Sequence, residues 1–381
     1  MSRLGYACVW DPDAPRTWSH TPWNLREALR ARTEVVDLGV QLGRPARLAL
    51  QLAHARRGAG GKLVSPWKHS NAFNAIAQAT LTASTRRARV DAVLEIQDLA
   101  ILEVPFFVYQ DMSYDVLLGA WQADAASVPH FPALDLARVR ARRERQLRVY
   151  ERAAGVLAMS EWFARSLVAD SGLPAGKVHV VHPGATARAV RPGPPPVREQ
   201  PRTRLLLVGR DFHTKGGDVV VAALAILRRD HDPRLTLTVA GPDAWPLPGG
   251  IPDGVRFLGR LPADRVAGLY DSHDLLVMPS RLEGFGIVFA EALARGLPCV
   301  GRSAFAMFAM PEMIVPGRNG ALVGGEDPAE LADAVARVLA DDTLYETCLT
   351  AADEVAAHFT WERAADDALA AVTRTLEGAS R

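Results

Sequence analysis

The stretch Glu283-Gly-Phe-Gly-Ile-Val-Phe-Ala-Glu291 holds two carboxylates eight residues apart around a Gly-Phe-Gly turn. The apolar run before it, Leu275–Met278, predicts a buried strand, and the small residues that follow predict a helix that ends at Gly296. Glycines after a strand let the backbone approach a ligand closely, and free N–H groups at a helix start attract anions. Carboxylates beside such a turn can accept hydrogen bonds from hydroxyl groups. The stretch therefore predicts a site for a phosphate ester of a sugar.

A second glycine-rich loop, Gly209-Arg-Asp-Phe-His-Thr-Lys-Gly-Gly217, follows another predicted strand, Arg204–Val208. Arg210 and Lys215 lie five residues apart on this loop, where a planar guanidinium and an ammonium can bracket a pyrophosphate. It is not a Walker loop, because no Ser or Thr follows Lys215, and it lacks the G-x-G-x-x-G of nicotinamide-binding folds. Loops at the carboxyl ends of parallel strands share one edge of a sheet, so we expect the two loops to form one site.

Both loops resemble those of the retaining family 4 glycosyltransferases, which carry an E-x7-E signature and a Gly-Arg … Lys-Gly phosphate loop. The succession Ser160-Glu-Trp … Val-His-Pro-Gly184 is similar as well. The resemblance implies an α/β chain with two Rossmann-like doubly wound domains facing a cleft, which is the GT-B arrangement. It implies a glycosyltransferase that moves a sugar from a nucleotide-sugar to an acceptor hydroxyl with retention of anomeric configuration. A UDP-sugar is favoured over a GDP-sugar, and no metal or cofactor besides this co-substrate is required.

The resemblance also implies roles for individual residues. Arg210, Lys215 and Glu283 form the expected catalytic set: the two cations hold the leaving diphosphate and stabilise its developing charge, and Glu283 contacts the transferred sugar. Glu291 is expected to accept hydrogen bonds from the ribose hydroxyls. The other donor-binding positions are backbone positions beside these side chains, namely Gly209, Gly216, Phe285, Gly286, Ile287 and Val288.

Other functions are compatible with the same motifs. A GT-B epimerase or phosphorylase would use the same nucleotide site, although no lysine is identifiable that would carry a phosphorylase cofactor. A non-catalytic nucleotide-sugar-binding subunit is a further alternative, because two family features of the first domain are altered. A Gly-Gly pair is missing from its first loop, and Asp111 stands where many members have a histidine.

The first domain contributes three candidate contacts to sugar or acceptor. Ser19 and Thr21 lie in the loop after the first predicted strand, and Thr21 is expected to cap a helix whose first residue is Pro22. Asp111 follows a later strand and could bind a sugar hydroxyl or an amine. The alternatives are an inert surface loop for the first pair and a helix cap, shared with Ser113, for Asp111.

Two domains are expected because 381 residues are too many for one ordinary core. The sequence predicts an N-terminal acceptor-side domain at 1–187, a linker at 188–202 with five prolines, and a nucleotide-sugar-binding domain at 203–358. The remaining 359–381 is expected to form a helix that crosses back to the N-terminal domain, as in the related fold. The alternative is a tail that docks on its own domain.

Composition indicates a cytoplasmic protein. The net charge is +1, the three cysteines have no metal-ligand or disulfide spacing, and neither a signal peptide nor an apolar run of bilayer length is found. The segment Gly39–Val90, however, contains nine Lys or Arg and no Asp or Glu, with room for an amphipathic helix around 48–53.

This basic region, 44–89, could meet the inner face of a membrane or an anionic acceptor, or it could consist of solvated helix faces. Nucleic acid is excluded as a partner because aromatic residues are too sparse for base stacking. The expected partners are thus the nucleotide-sugar and a small-molecule, glycan or lipid-linked acceptor.

Overall fold

The computed structural model describes residues 3–57, 63–123, 135–186, 193–303 and 310–379. This part of the chain divides into two compact units, each built on a six-stranded sheet. Unit 1 takes the described residues within Met1–Gln122, Phe131–Gly184 and Trp361–Arg381, and unit 2 takes those within Ala185–Thr360. The expected fold class, two doubly wound parallel α/β domains, is confirmed.

Unit 1 has its sheet in the order β2-β1-β5-β6-β7-β8, and all neighbours in it are parallel. Its strands are β1 (Arg3–Ala7), β2 (Glu34–Asp37), the short antiparallel pair β3 (Arg56–Arg57) and β4 (Leu63–Val64), β5 (Ala92–Ile96), β6 (Phe106–Gln110), β7 (Gly155–Ala158) and β8 (Val178–Val180). Its helices are α1 (Thr21–Arg30), α2 (Arg44–Ala53), α3 (Asn71–Ala88), α4 (Tyr114–Ala123), α5 (Leu136–Arg152) and α6 (Glu161–Ala169). Strands β5, β6 and β7 are buried along their whole length, as expected when both faces of a parallel sheet are covered.

Unit 2 has the parallel order β11-β10-β9-β12-β13-β14. Its strands are β9 (Arg204–Val208), β10 (Thr236–Ala240), β11 (Val255–Gly259), β12 (Leu275–Val277), β13 (Cys299–Arg302) and β14 (Gly320–Val323). Its helices are α7 (Gly217–Asp230), α8 (Ala263–Ser272), α9 (Ile287–Leu293), α10 (Met310–Met313), α11 (Pro328–Ala340) and α12 (Asp342–His358). One face of this sheet forms a core with the apolar sides of α7 and α11.

The last helix, α13 (Trp361–Ala379), belongs to unit 1, where it packs against α1 and β7. Arg32 at the end of α1 forms an ion pair with Asp366 of this helix. Gly184, at the end of unit 1, fits directly against the start of α13, because a Cβ there would lie 2.5 Å from the Trp361 nitrogen. The chain therefore returns to its first unit after leaving the second.

Only part of the proline-rich segment belongs to the described residues, since 187–192 lie outside them. From residue 193 onward the segment packs on unit 2. Arg198 is 6% exposed and donates hydrogen bonds to the carbonyl oxygens of Tyr270, His273 and Gly296 at 2.6–2.8 Å. Its described part is thus held by a buried cation that caps helix ends of unit 2.

Helix boundaries show one correction and one agreement. Helix α1 begins at Thr21, and its N-terminal flanking residue is His20, whose φ is +68° and whose side chain makes no capping bond. The expected Thr21 cap is therefore wrong, because the left-handed turn at His20 starts the helix one residue earlier. The amphipathic helix expected around 48–53 lies within α2, and Ser160 caps α6 by accepting a hydrogen bond from the Phe163 nitrogen.

Candidate functional site

The two glycine-rich loops of unit 2 lie side by side at the carboxyl edge of its sheet. Strand order reverses between β9 and β12, which pair in parallel through Leu205 with Leu275 and Leu206 with Leu276. One loop follows β9 and the other follows β12. In open parallel sheets, ligands bind at such a reversal point, beyond the carboxyl ends of the strands.

Lys215 and Glu283 form an ion pair across these two loops, from the ammonium Nζ to the carboxylate Oε2. Their side chains are only 19% and 13% exposed. Low exposure strengthens the attraction but makes either charge costly if its partner is removed. The structure therefore brings together two residues that the sequence placed 68 positions apart.

Glycine is required at two positions of the first loop. A Cβ at Gly209 would lie 2.6 Å from the Cγ of Lys215, so this glycine makes room for the lysine stem. Gly216 has a φ of +72°, and a Cβ there would lie 2.4 Å from the Pro279 carbonyl oxygen. The close approach of the loops thus depends on both glycines.

Arg281, which the sequence analysis did not single out, ties the same two loops. Its backbone N–H donates to the Thr214 carbonyl at 2.7 Å, and its guanidinium binds the carboxylates of Asp218 and Glu326 at 2.8–2.9 Å. Burial raises the pKa of the Asp218 carboxyl, but the hydrogen bond and charge of Arg281, with a backbone hydrogen bond and the charge of His213, together leave that pKa below its usual value. The only sequence signal was an arginine two positions before Glu283.

The other predicted donor positions lie around this pair. Arg210 is exposed and forms no ion pair with any residue that the structure describes. Phe285 is buried against Phe359, with ring centroids 5.8 Å apart, and Gly286, with φ +81°, precedes α9. Ile287 and Val288 are the first, half-buried residues of that seven-residue helix.

Glu291 lies within α9, and both of its carboxylate oxygens accept hydrogen bonds from the protein. The Thr186 hydroxyl donates to Oε1 at 2.9 Å, and the Tyr270 hydroxyl donates to Oε2 at 2.8 Å. Burial, followed by the nearby Glu291 charge, raises the pKa of Tyr270 well above its usual value. The phenol therefore stays protonated and acts as a donor; neither donor was anticipated from the sequence.

The three candidate residues of unit 1 have different surroundings. Ser19 is exposed, with a φ of +55°, in a loop where Trp18 and His20 also have positive φ. Thr21 is only 2% exposed, so its hydroxyl lies inside the protein. Asp111 follows β6 and is half-buried; the cap of α4 is made by Ser113, whose hydroxyl accepts from the Val116 nitrogen at 3.3 Å.

A cluster of basic side chains also lies in unit 1. Lys68 pairs with Asp11 at 2.9 Å, and the imidazole Nδ1 of His69 lies 3.0 Å from the Tyr114 hydroxyl. Burial, then the charges of Arg142 and Lys68, lowers the pKa of His69 to about 4. The half-buried Arg142 donates to the Asn71 amide oxygen at 3.4 Å, and it pairs with no carboxylate in the described ranges. Burial lowers its pKa as well.

Within the described residues, no group of three or more His, Cys, Asp or Glu side chains is placed to hold a metal ion. None of the described helices has both the length and the hydropathy that crossing a bilayer requires.

Two family models match the chain. The model for glycosyl transferases group 1 matches residues 202–341, which include both loops of unit 2. The model for family 4 glycosyltransferases in conflict systems matches residues 125–248. The resemblance noted in the sequence is therefore confirmed.

Among curated proteins, D-inositol 3-phosphate glycosyltransferase 1 of Catenulispora acidiphila is 35% identical over 240 residues, 56% of each chain. The chain spans about half the length of the curated relatives it matches. Among solved structures, sucrose-phosphate synthase from Thermosynechococcus elongatus has a TM-score of 0.71 at 19% identity, covering 100% of both chains. HepE from Anabaena, solved with UDP and glucose, has a TM-score of 0.61 at 15% identity, covering 96% of this chain and 99% of that one. These two likenesses show the shared fold.

The buried ion pair leads to a stability prediction. Lys215→Met leaves the Glu283 charge unpaired and should lower the free energy of unfolding by about 3 kcal/mol. Lys215→Met combined with Glu283→Gln should recover at least about 1 kcal/mol of that loss, which urea unfolding would measure. The exposed pair Arg229–Asp230 is the control, and the effects of removing its two side chains should be additive, because solvent screens exposed charges. Strictly additive losses at Lys215 and Glu283 would contradict the pairing.

Proposed function

We propose that this chain, which matches the model for glycosyl transferases group 1 over residues 202–341 and a family 4 glycosyltransferase model over residues 125–248, moves a sugar from a nucleotide-sugar to an acceptor hydroxyl. The observation that carries the proposal is the contact between Lys215 and Glu283 at the strand-order reversal of unit 2. A phosphate-binding cation and a hydroxyl-binding carboxylate in contact match a ligand that has a diphosphate bonded directly to a sugar.

The donor would be bound by its two ends. Lys215 and the exposed Arg210 bind the diphosphate, Glu283 accepts from hydroxyls of the sugar, and Glu291 accepts from the ribose. The backbone at Gly286 lies between the sugar and phosphate ends of this site. UDP is the favoured nucleotide, because the structurally similar HepE was solved with UDP and glucose.

The reaction breaks the bond between the anomeric carbon and the diphosphate oxygen and forms a bond from that carbon to the acceptor oxygen. Negative charge grows on the departing diphosphate, and Arg210 and Lys215 stabilise it without a metal. The acceptor attacks from the face that the diphosphate leaves, so configuration is retained. The acceptor proton passes to an oxygen of the departing diphosphate.

The acceptor we favour is a phosphorylated polyol. The curated relatives are named for D-inositol 3-phosphate, which has hydroxyl groups and one phosphate. The basic cluster of unit 1 supports an anionic acceptor, because the Arg142 guanidinium is half-buried beside His69 and Lys68. A half-buried cation that forms no ion pair with a carboxylate of the described residues gains from an anionic ligand.

The activity test uses Arg210→Ala, because this exposed side chain contributes little to folding. Turnover of the donor with D-inositol 3-phosphate should fall tenfold to a few hundredfold, as a charge-assisted hydrogen bond contributes about 1.5–3 kcal/mol. Arg229→Ala, an exposed site at the far end of α7, is the matched control and should keep parental turnover. Activity should persist in EDTA, and the product should have the anomeric configuration of the donor.

Other outcomes would decide between the alternatives. Donor turnover without any acceptor would indicate an epimerase, and binding of the donor without turnover would indicate a binding subunit. Parental turnover in Arg210→Ala would contradict the assigned phosphate contact. Loss of all activity in EDTA with recovery in magnesium would contradict a metal-independent reaction.

The protein is further proposed to act in the cytoplasm at the inner face of a membrane, which it contacts through the basic region 44–89. Helix α2 supports this placement because its outer face is apolar: Leu48 is 51% and Leu52 is 68% exposed. Leu63 in β4, from the same region, is 76% exposed. Arg44 and Arg47 in the first turn of α2, with Arg56 and Arg57 in β3, add positive charge, and no acidic residue lies between Gly39 and Val90. Exposed leucines beside cations match an anionic lipid surface.

This placement predicts how α2 variants bind vesicles. Leu48→Ser with Leu52→Ser should weaken binding to vesicles of phosphatidylglycerol and phosphatidylcholine at least about tenfold, since burying a leucine contributes about 1.5–3 kcal/mol. Ile251→Ser, at an equally exposed site in unit 2, is the control and should bind as the parent does. Flotation with the vesicles measures both. Equal binding of parent and α2 variant would contradict the contact, whatever the activity assay shows.

A further inference from the structure

Tyr270 is a fully buried tyrosine whose hydroxyl reaches the carboxylate assigned to ribose. Its side chain is 1% exposed in α8, and its hydroxyl donates to Glu291 Oε2 at 2.8 Å. On the other carboxylate oxygen, Thr186 donates from its hydroxyl at 2.9 Å and from its N–H at 3.4 Å. A carboxylate held at both oxygens has one defined plane.

Tyr270 is itself fixed through its backbone. Arg198 donates to the carbonyls of Tyr270 and His273, which end α8, and to those of Arg295 and Gly296, which follow α9. One buried guanidinium therefore joins the ends of the two helices that carry Tyr270 and Glu291. This junction and their own hydrogen bond together fix the position of the Tyr270 phenol relative to the Glu291 carboxylate.

Oε2 accepts from the Tyr270 hydroxyl, and Oε1 accepts from both the hydroxyl and the N–H of Thr186. These donors fix the plane of the carboxylate, and a rotation out of that plane would change the direction in which both oxygens face the hydroxyl groups of a ligand. Orienting Glu291 before the ligand arrives removes an ordering cost from binding.

We propose that Tyr270, together with Thr186, is a positioning residue that orients Glu291 to bind the two hydroxyls of the donor ribose. The proposal rests on the proposed function, because it assigns Glu291 to ribose. The competing explanation is structural: the phenol would only hold α8 against α9. The two explanations differ in whether the effect of removing the phenol hydroxyl depends on the ribose.

The experiment compares a nucleoside diphosphate with its 2′-deoxy form. UDP, GDP, ADP and TDP are first ranked by the thermal shift that they give the parent protein, and calorimetry then measures dissociation constants for the best one and its ribo or deoxy counterpart. Tyr270→Phe should weaken the ribonucleotide about tenfold and the deoxynucleotide about twofold or less. Thr186→Val should act in the same direction.

A double-variant cycle tests whether the effect passes through Glu291. In a Glu291→Gln background, adding Tyr270→Phe should change ribonucleotide affinity by less than about twofold. Tyr345→Phe is the matched control, since this buried tyrosine of unit 2 donates to the Asp274 carbonyl at 2.6 Å. It should lower the melting temperature about as much and leave nucleotide affinity unchanged.

The outcomes separate this proposal from the proposed function. Equal losses for ribonucleotide and deoxynucleotide in Tyr270→Phe, or a full loss in the Glu291→Gln background, would overturn the positioning role and leave the glycosyltransferase intact. No thermal shift of the parent protein with any of the four nucleotides would overturn the proposed function, and the positioning role with it.

Discussion

The contact between Lys215 and Glu283 is the interaction on which the candidate site of unit 2 depends. Two opposite charges that are largely removed from solvent must stay together, because either one alone is costly. The two loops must therefore lie in contact, and they can do so because β9 and β12 are neighbours in the sheet. Gly209 and Gly216 supply the space, and Arg281 fixes both loops to Asp218 and Glu326. Such fixed charges suit a reaction whose leaving group becomes more negative.

Much of this fold follows from local sequence pattern. The two strands predicted before the glycine-rich loops, Arg204–Val208 and Leu275–Met278, are mainly apolar, and the structure has β9 and β12 at these positions. The two glycine-rich loops follow strands in each case, so their location at one sheet edge was also predictable. The predicted start of helix α1 was wrong because His20 adopts a left-handed conformation, which a histidine in the sequence does not predict.

The remaining part of the site arises from contacts between distant residues. Arg281 donates a hydrogen bond to Glu326, which lies 45 positions away in the sequence. Glu291 accepts hydrogen bonds from Thr186, 105 positions away, and from Tyr270, 21 positions away. Arginine, tyrosine and threonine are common residue types with many roles, so their presence alone does not indicate these contacts. The packing of α8 on α9 and the buried Arg198 hold Tyr270 next to Glu291.

Hydrogen exchange of the backbone, with and without a saturating nucleoside diphosphate, tests the central claim most directly. The nucleotide that gives the largest thermal shift is the probe. The account predicts slower exchange at residues 209–217 and 283–291, because the proposed function assigns the diphosphate, sugar and ribose ends of the donor to these two loops. Protection confined to unit 1, or unchanged exchange in both loops of unit 2 at saturating nucleotide, would contradict it.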